Sequence, residues 1–303
     1  MPGIQTNRSN ITLPTEISSE ILAKTQEASA IMRLARHIPL PGRGLTIPVI
    51  AADAEADWVA ETGRKPVSNP SLSTKLMTPY KLATILPFSK EFMRDNKMLY
   101  DELVRRGPNA LSRKFDQTVL GAVSKPGDNF DNFASCTAQS LIATSDASLY
   151  DGLVAAVTDI ATHGGILDGW ALSPQAKGLL LGAVDSTGRP LFIDSTADGA
   201  IPRLLGVPTY ASKGVYKAGA AGSPGTPAIV GIAGDWTQAL YGTVEGVTVS
   251  FSDQATLTTG SGTSEESFNL WQHNMVAVMF EIEVGFRADT SVFNLLTGAV
   301  PSA

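Results

Sequence analysis

The apolar positions of the chain keep a helical period first. From Pro14 to Arg36, Ile17, Ile21, Leu22, Ala28, Ile31, Met32 and Ala35 recur at the spacing of one helix face. Pro14 suits a first turn, and Pro39 and Pro41 end the helix. The pattern then turns extended. Residues 44–50 (GLTIPVI) predict a short strand, and residues 72–88 predict one long one. Leu72, Leu76, Tyr80, Leu82, Leu86 and Phe88 take one side of it, with Thr74, Thr78 and Thr84 between them. Ser73, Lys75, Lys81 and Ser89 take the other, which Met77, Ala83 and Ile85 interrupt. This alternation far outruns the usual strand of about 5–6 residues, and a two-stranded hairpin cannot shelter it alone. Each large side chain gains roughly 1.5–3 kcal/mol on full burial, so part of the stripe is expected against the domain body or a neighbouring subunit. A core strand in a large sheet is the plainer reading.

Residues 97–122 carry the strongest helical pattern, with Leu99, Leu103, Leu111, Phe115 and Val119 on one stripe. Gly107-Pro108 predicts a bend in that helix, because proline removes a backbone hydrogen bond. Residues 124–140, rich in Gly, Asn, Asp and Ser, read as loop. Asp146 or Ser148 then caps a helix carrying Leu149, Leu153, Val157 and Ile160, which Gly164-Gly165 ends. A strand at 170–174, a helix at 175–183 and a strand-turn segment at 188–193 follow. Strands are predicted at 204–212, 228–236 and 246–253, with loops at 217–227 and 254–266. The clearest alternation is last: Val276, Val278, Phe280, Ile282, Val284 and Phe286 oppose Glu281, Glu283 and Arg287. The fold class is mixed α+β, without internal repeats.

Composition narrows the function. The 303 residues suffice for one large domain or two modest ones, and 43% hydrophobic with 17% charged residues suits a globular chain. No apolar run of about 18 residues predicts a membrane span, and the polar start, Met1 to Thr12, is no signal peptide. It reads as a flexible arm. Cys136 is the only cysteine, which excludes an internal disulfide and a cysteine-based zinc site. His37, His163 and His273 stand far apart, without metal-ligand spacing. The Gly-rich stretch 219–231 lacks a following Gly-Lys-Ser/Thr, and no Gly-x-Ser-x-Gly elbow occurs. No cofactor is expected. An α+β enzyme would need an acid/base or metal cluster assembled from distant residues.

Several short motifs in one order resemble the major capsid proteins of tailed phages with the Hong Kong 97-type fold. LPTEISSEI (13–21) resembles the family's opening helix, DWVAETGRK (57–65) its extended loop, and LMTPYKLATILPFSKEFMRD (76–95) the strand leaving that loop. GWALSPQAKGLLLGAVDSTGRPLF (169–192) and LLGVPTYAS (204–212) resemble its axial domain. GDWTQALYG (234–242), GVTVSFSD (246–253) and the stretch 268–298 complete the set. The resemblance implies an N-terminal arm (1–13), a helix and entry to the peripheral domain (14–43), and an extended hairpin loop (44–81). It further implies a peripheral domain with the spine helix 97–122 (82–145), an axial domain (146–273) and C-terminal strands returning to the periphery (274–303).

The implied function is that of a virion shell subunit, not an enzyme. It would assemble in the host cytoplasm into pentamers and hexamers of an icosahedral shell around double-stranded DNA. A net charge of −6 argues against a DNA-gripping face, so the DNA is expected as contents of the shell. Scaffolding, portal and cement proteins are implied partners, and no membrane is. The opening helix starts close to Met1, so either a separate scaffold serves or a scaffolding segment has been removed. An encapsulin-type nanocompartment, which shares the fold, is the alternative. Inter-subunit contacts are expected at Trp58, Glu61, Arg64, Lys65, Lys75, Leu76 and Tyr80, with Trp58 an interface or core anchor because tryptophan is enriched at contact centres. Asp53, Glu55, Asp57 and Glu61 precede Arg64, Lys65, Lys75 and Lys81, a mixture suited to steering between subunits. Some relatives join subunits through Lys–Asn isopeptide bonds. Lys65 and Lys75 lie in the matching loop, without an identifiable asparagine partner, and exposed loop lysines are more often solvated charges.

Overall fold

The computed structural model describes residues 29–52, 57–59, 64, 65, 67, 71–90, 98–142, 148–184, 191, 192, 203–222, 225–259 and 266–299. Helix α1 (Ala30–Leu34) opens them, and Ser29 caps it by accepting from the Met32 N–H at 3.0 Å. Its end differs from expectation. The chain leaves the helix at Ala35 and forms strand β1 (Arg36–Pro39), which pairs in parallel with β10 (Ala239–Thr243). Tertiary pairing, rather than the prolines beyond, sets that boundary. The rest of the expected 14–36 helix lies outside the described residues.

The long strand expected over 72–88 is two strands. Strand β3 (Ser71–Met77) pairs with β2 (Leu45–Ala52) in a free-standing hairpin, while β4 (Tyr80–Ser89) joins the main sheet. The inward side changes phase between them. In β4 the even positions are the more buried ones, yet before the break Met77 is fully buried and Leu76 is 41% exposed. Thr78-Pro79 is the junction, and Pro79, lacking an N–H, cannot carry a ladder across it.

Strand β14 (Met275–Ala288) is the spine of a five-stranded sheet. Antiparallel to it run β4 on one side, and β10 and β11 (Thr248–Ser252) on the other; β1 extends the sheet beyond β10. The alternation of β14 holds: Val278, Phe280, Ile282, Val284 and Phe286 are buried. Against that face packs helix α2 (Met98–Leu120), with Leu111, Phe115 and Val119 buried one turn apart. It runs as one helix through Gly107-Pro108. The side chains of Leu99 and Leu103 lie outside the described set.

The second sheet has the order β5 (Thr137–Ser140), β15 (Phe293–Thr297), β9 (Ile229–Gly234), β6 (Gly169–Leu172), β8 (Val207–Ala211) and β7 (Arg203–Leu204). Helices α3 (Leu149–Thr162) and α4 (Pro174–Leu181) cover one face of it. Ser148 caps α3 in a reciprocal capping box with Asp151, and Gly164 leaves the helix with φ +78°. Its other face meets the aromatic core beneath α2, where Phe133 stacks on Phe293 at 4.4 Å and Trp236 meets Phe293 edge-on at 5.1 Å.

Two loop expectations are corrected, and the strand expected at 204–212 is divided. Residues 137–140 are an edge strand, and Phe130 and Phe133 before it enter the core. Residues 204–212 form a β7–β8 hairpin that turns at Leu205-Gly206. Part of the expected 254–266 loop is a hairpin of β12 (Thr256–Thr259) with β13 (Glu266–Asn269). Short polar strands of this kind are held by backbone pairing and carry no hydrophobic alternation to announce them. The strand-turn segment expected at 188–193 lies almost wholly outside the described residues. Sheet membership also crosses the boundaries 146–273 and 274–303. Residues 239–252 pair with the five-stranded sheet, and 293–297 belong to the six-stranded one.

Candidate functional site: the extended hairpin and its root

Among the described residues of the β2–β3 hairpin only Met77 is buried. Leu45 to Ala52 pairs with Ser71 to Met77, and the chain between them forms the tip. Of that tip, Trp58 is fully exposed (101%), Val67 is 81% exposed, and Arg64 and Lys65 are exposed. The Trp58 N–H donates to Asp57 Oδ1 at 2.8 Å, while the indole lies open. Glu61, Asp53 and Glu55 lie outside the described residues.

The remaining expected contact residues sit at the root, and the structure separates them. Leu76 is exposed. Tyr80 instead faces its own subunit, packing edge-on to Phe130 at 6.2 Å. Lys75 is half-buried; its ammonium donates to the Ala288 carbonyl at 3.1 Å and lies 3.9 Å from Asp131 Oδ2. Lys81 stands 2.7 Å from Glu281 and 3.4 Å from Glu283. The hydrogen bond to Glu281 above all, with both carboxylate charges, holds it above the ordinary lysine range.

Sequence reasoning missed the residues that receive the root. Arg287 donates through Nε to the Leu76 carbonyl at 2.8 Å, through Nη1 to Asp131 Oδ1 at 2.7 Å, and through Nη2 to Asn129 Oδ1 at 3.0 Å. Met77 fills a slot over Gly242 and Gly285, which are direct partners across β10 and β14. A methyl group on Gly285 would come within 2.8 Å of Met77 Cγ. The available signal was Met77 itself, an apolar residue out of phase with its stripe.

Among the described residues no three of His, Cys, Asp and Glu gather as a metal site. His163 caps α3, with Nδ1 2.9 Å from the Asp159 carbonyl. The Cys136 thiol donates to the Thr290 carbonyl at 3.3 Å, and burial pushes its pKa up to about 12. A thiol so placed is a poor nucleophile. Asp116 is fully buried and raised to about 6, with Ser29, Ser212 and the Ala30 N–H occupying its oxygens. No described helix is long and apolar enough to cross a membrane.

A two-sheet body carries a hairpin on which the Trp58 indole lies open to solvent. Known proteins share this architecture. The phage capsid family model matches residues 9–290, and the chain belongs to that family. It is 30% identical over 303 residues to the probable major capsid protein gp17 of Mycobacterium phage L5, covering 94% of this chain and 89% of that one. A solved structure from Mycobacterium phage Bobi superposes with a TM-score of 0.71 at 20% identity, over 90% of this chain and 91% of that one. The capsid of an empty GTA particle gives 0.61 at 15% identity, over 90% of each chain. These likenesses show the fold, which is the Hong Kong 97-type capsid fold.

Proposed function

We propose that this protein is the major capsid protein of a tailed bacteriophage and that it assembles by laying its β2–β3 hairpin over a neighbouring subunit. The observation that carries the reading is a fully exposed Trp58 on a hairpin whose described residues are buried only at Met77. An indole left in water forfeits the gain that burial brings, and tryptophan is enriched at the energetic centres of interfaces. A second copy of the chain covers it, with Arg64 and Lys65 meeting acidic groups of that copy. Each exposed pair adds only about 0.2–1 kcal/mol, so the charges set register while the apolar tip supplies adhesion. We assign the five-stranded sheet with α2 to the peripheral domain, and the six-stranded sheet with α3 and α4 to the axial domain around the capsomer axis.

Hexamers and pentamers close into an icosahedral shell, with scaffolding, portal and cement proteins as partners. Double-stranded DNA is the contents; the net charge of −6 supplies no binding face for it. The role is structural and not catalytic, and its place is the virion. Lys75 serves the hairpin root, its ammonium already engaged within the chain, rather than a covalent cross-link.

Deleting residues 53–70 tests the reading. The shortened chain is expected to keep both sheets by circular dichroism and to lose closed shells in electron micrographs, with scaffold supplied. Normal shells from the deletion would sink the hairpin's role. A wild-type chain that stays monomeric under every assembly condition would sink the capsid reading itself.

A further inference from the structure

The hairpin leaves the body over a lever of some length. Strand β3 alone, Ser71–Met77, spans about 20 Å at the rise of a β-strand, and the tip lies beyond it. At that distance an error of about 10° at the root moves the tip by roughly 3–4 Å, more than a hydrogen bond tolerates. Something must fix the angle, and among the hairpin's described residues only Met77, at the root, is buried.

We propose that the root is a socket that aims the hairpin, with Met77 as its plug and Arg287 as its clamp. The inference rests on the shell-subunit reading above. Alternation along β14 puts Glu281, Glu283, Gly285 and Arg287 on the face away from α2, and register places Gly242 opposite Gly285. Paired glycines weaken a sheet, and glycine inside a strand marks close approach by another part of the chain. Here that approach is visible. Met77 has no exposed surface, and methyl groups on Gly242 and Gly285 would stand 3.1 Å from its Sδ and 2.8 Å from its Cγ. Leu40 closes the slot, lying 3.0 Å from the same point on Gly242. Where the other strand begins, Gly44 has φ +85° and passes over the Met77 carbonyl, where a Cβ would come within 2.6 Å.

Two polar ties act beside the plug. The Arg287 guanidinium bonds the Leu76 carbonyl through both Nε and Nη2, and its other donors go to Asp131 and Asn129 on the body. A planar fork held on both sides resists rotation, unlike a single point charge. Lys75 bonds the Ala288 carbonyl one residue further along β14. Side-chain plug, carbonyl clamp and ammonium tie are three separate attachments, enough to fix an orientation where one would leave a pivot.

The test reads the arm's direction in the unassembled subunit as well as the shell. Spin labels at Val67→Cys and Lys114→Cys, in a Cys136→Ala background, report the distance from tip to body. The expected wild-type result is a single narrow distance peak. Met77→Ala and Arg287→Gln are expected to lose that peak to a broad distribution while keeping the circular dichroism of the fold. Met77→Leu, which conserves volume, is expected to restore it. In assembly the broadened variants are expected to give mixed sizes, tubes or open sheets. A narrow peak and uniform shells from folded Met77→Ala and Arg287→Gln overturn the socket. So does failure of both variants to fold, because the contacts would then serve the fold and not the aim. A wild type with a narrow peak that forms no shell defeats the capsid reading and leaves the socket standing.

Discussion

Asp116 sits on α2 with no exposed surface, and three donors converge on it: the Ser29 and Ser212 hydroxyls and the Ala30 N–H. It ties the start of α1 and the 212–215 turn to the long helix. Burial raises its pKa to about 6, partly offset by those hydrogen bonds. The folded state therefore favours the protonated form relative to an unfolded chain with a pKa of 3.8. That contribution is complete below about pH 3.8, falls as pH rises toward 6, and is lost above it. A shift of this size corresponds to roughly 3 kcal/mol. Urea unfolding across that range should show the wild type losing stability relative to Asp116→Asn as pH rises; parallel curves would exclude the carboxyl as the source. Trp58 behaves oppositely. With its side chain wholly in water, Trp58→Ala should leave the unassembled subunit within about 0.5 kcal/mol of wild type. Particle yield by sedimentation should nevertheless fall, and an unchanged yield would remove Trp58 from the interface. Of the two places the chain left open for Trp58, an interface or a core, the structure removes the core, because the side chain is fully exposed. Met77 left only its phase as a signal, and Arg287 and Asp116 left none, because their partners come from distant parts of the chain and meet only in the fold.

Elements with one strong period were legible, and those held by pairing alone were not. The stripe of Leu111, Phe115 and Val119 on α2 and the alternation of β14 both survive in the structure, since each faces a single core. Strands β1, β5, β12 and β13 are short and largely polar, so backbone hydrogen bonding decides them. The apparent strand over 72–88 joined two true ones because Leu72 to Phe88 keeps its alternation in sequence while the inward face reverses at Thr78-Pro79. The contact between α2 and β14 yields a prediction in which two effects oppose. Gly107 faces the Phe280 ring, and a methyl group there would lie 2.8 Å from it. Alanine gains about 1 kcal/mol of helix propensity over glycine. Overpacking against a ring that is 1% exposed costs about 1–3 kcal/mol. The clash should win, so Gly107→Ala should lower the denaturation midpoint, and adding Phe280→Leu should recover part of the loss. A more stable single variant would mean that the two elements can separate freely.

Across the whole molecule the two sheets are not independent. In β6, Trp170 and Leu172 enter the core under α3 and α4, while Ala171 between them enters the aromatic core shared with α2. Strand β9 divides in the same way, Val230 and Ala233 to one side and Ile232 to the other. In β15, Leu296 faces one core and Leu295 the other. A sheet whose alternate residues fill two cores cannot lose one without exposing the other, and each buried leucine or tryptophan is worth roughly 1.5–3 kcal/mol. Residues 239–252 and 275–288 also carry the chain into the five-stranded sheet between strands of the six-stranded one. The proposed axial and peripheral regions are thus not separate folding units. Calorimetry of the unassembled subunit should give one transition, with calorimetric and van't Hoff enthalpies in agreement. The chain lacking residues 53–70 should melt in that same single transition, because the described residues of that stretch, Trp58 and Val67 among them, are exposed. Two resolved transitions in the intact subunit would show that the shared sheet does not couple its faces.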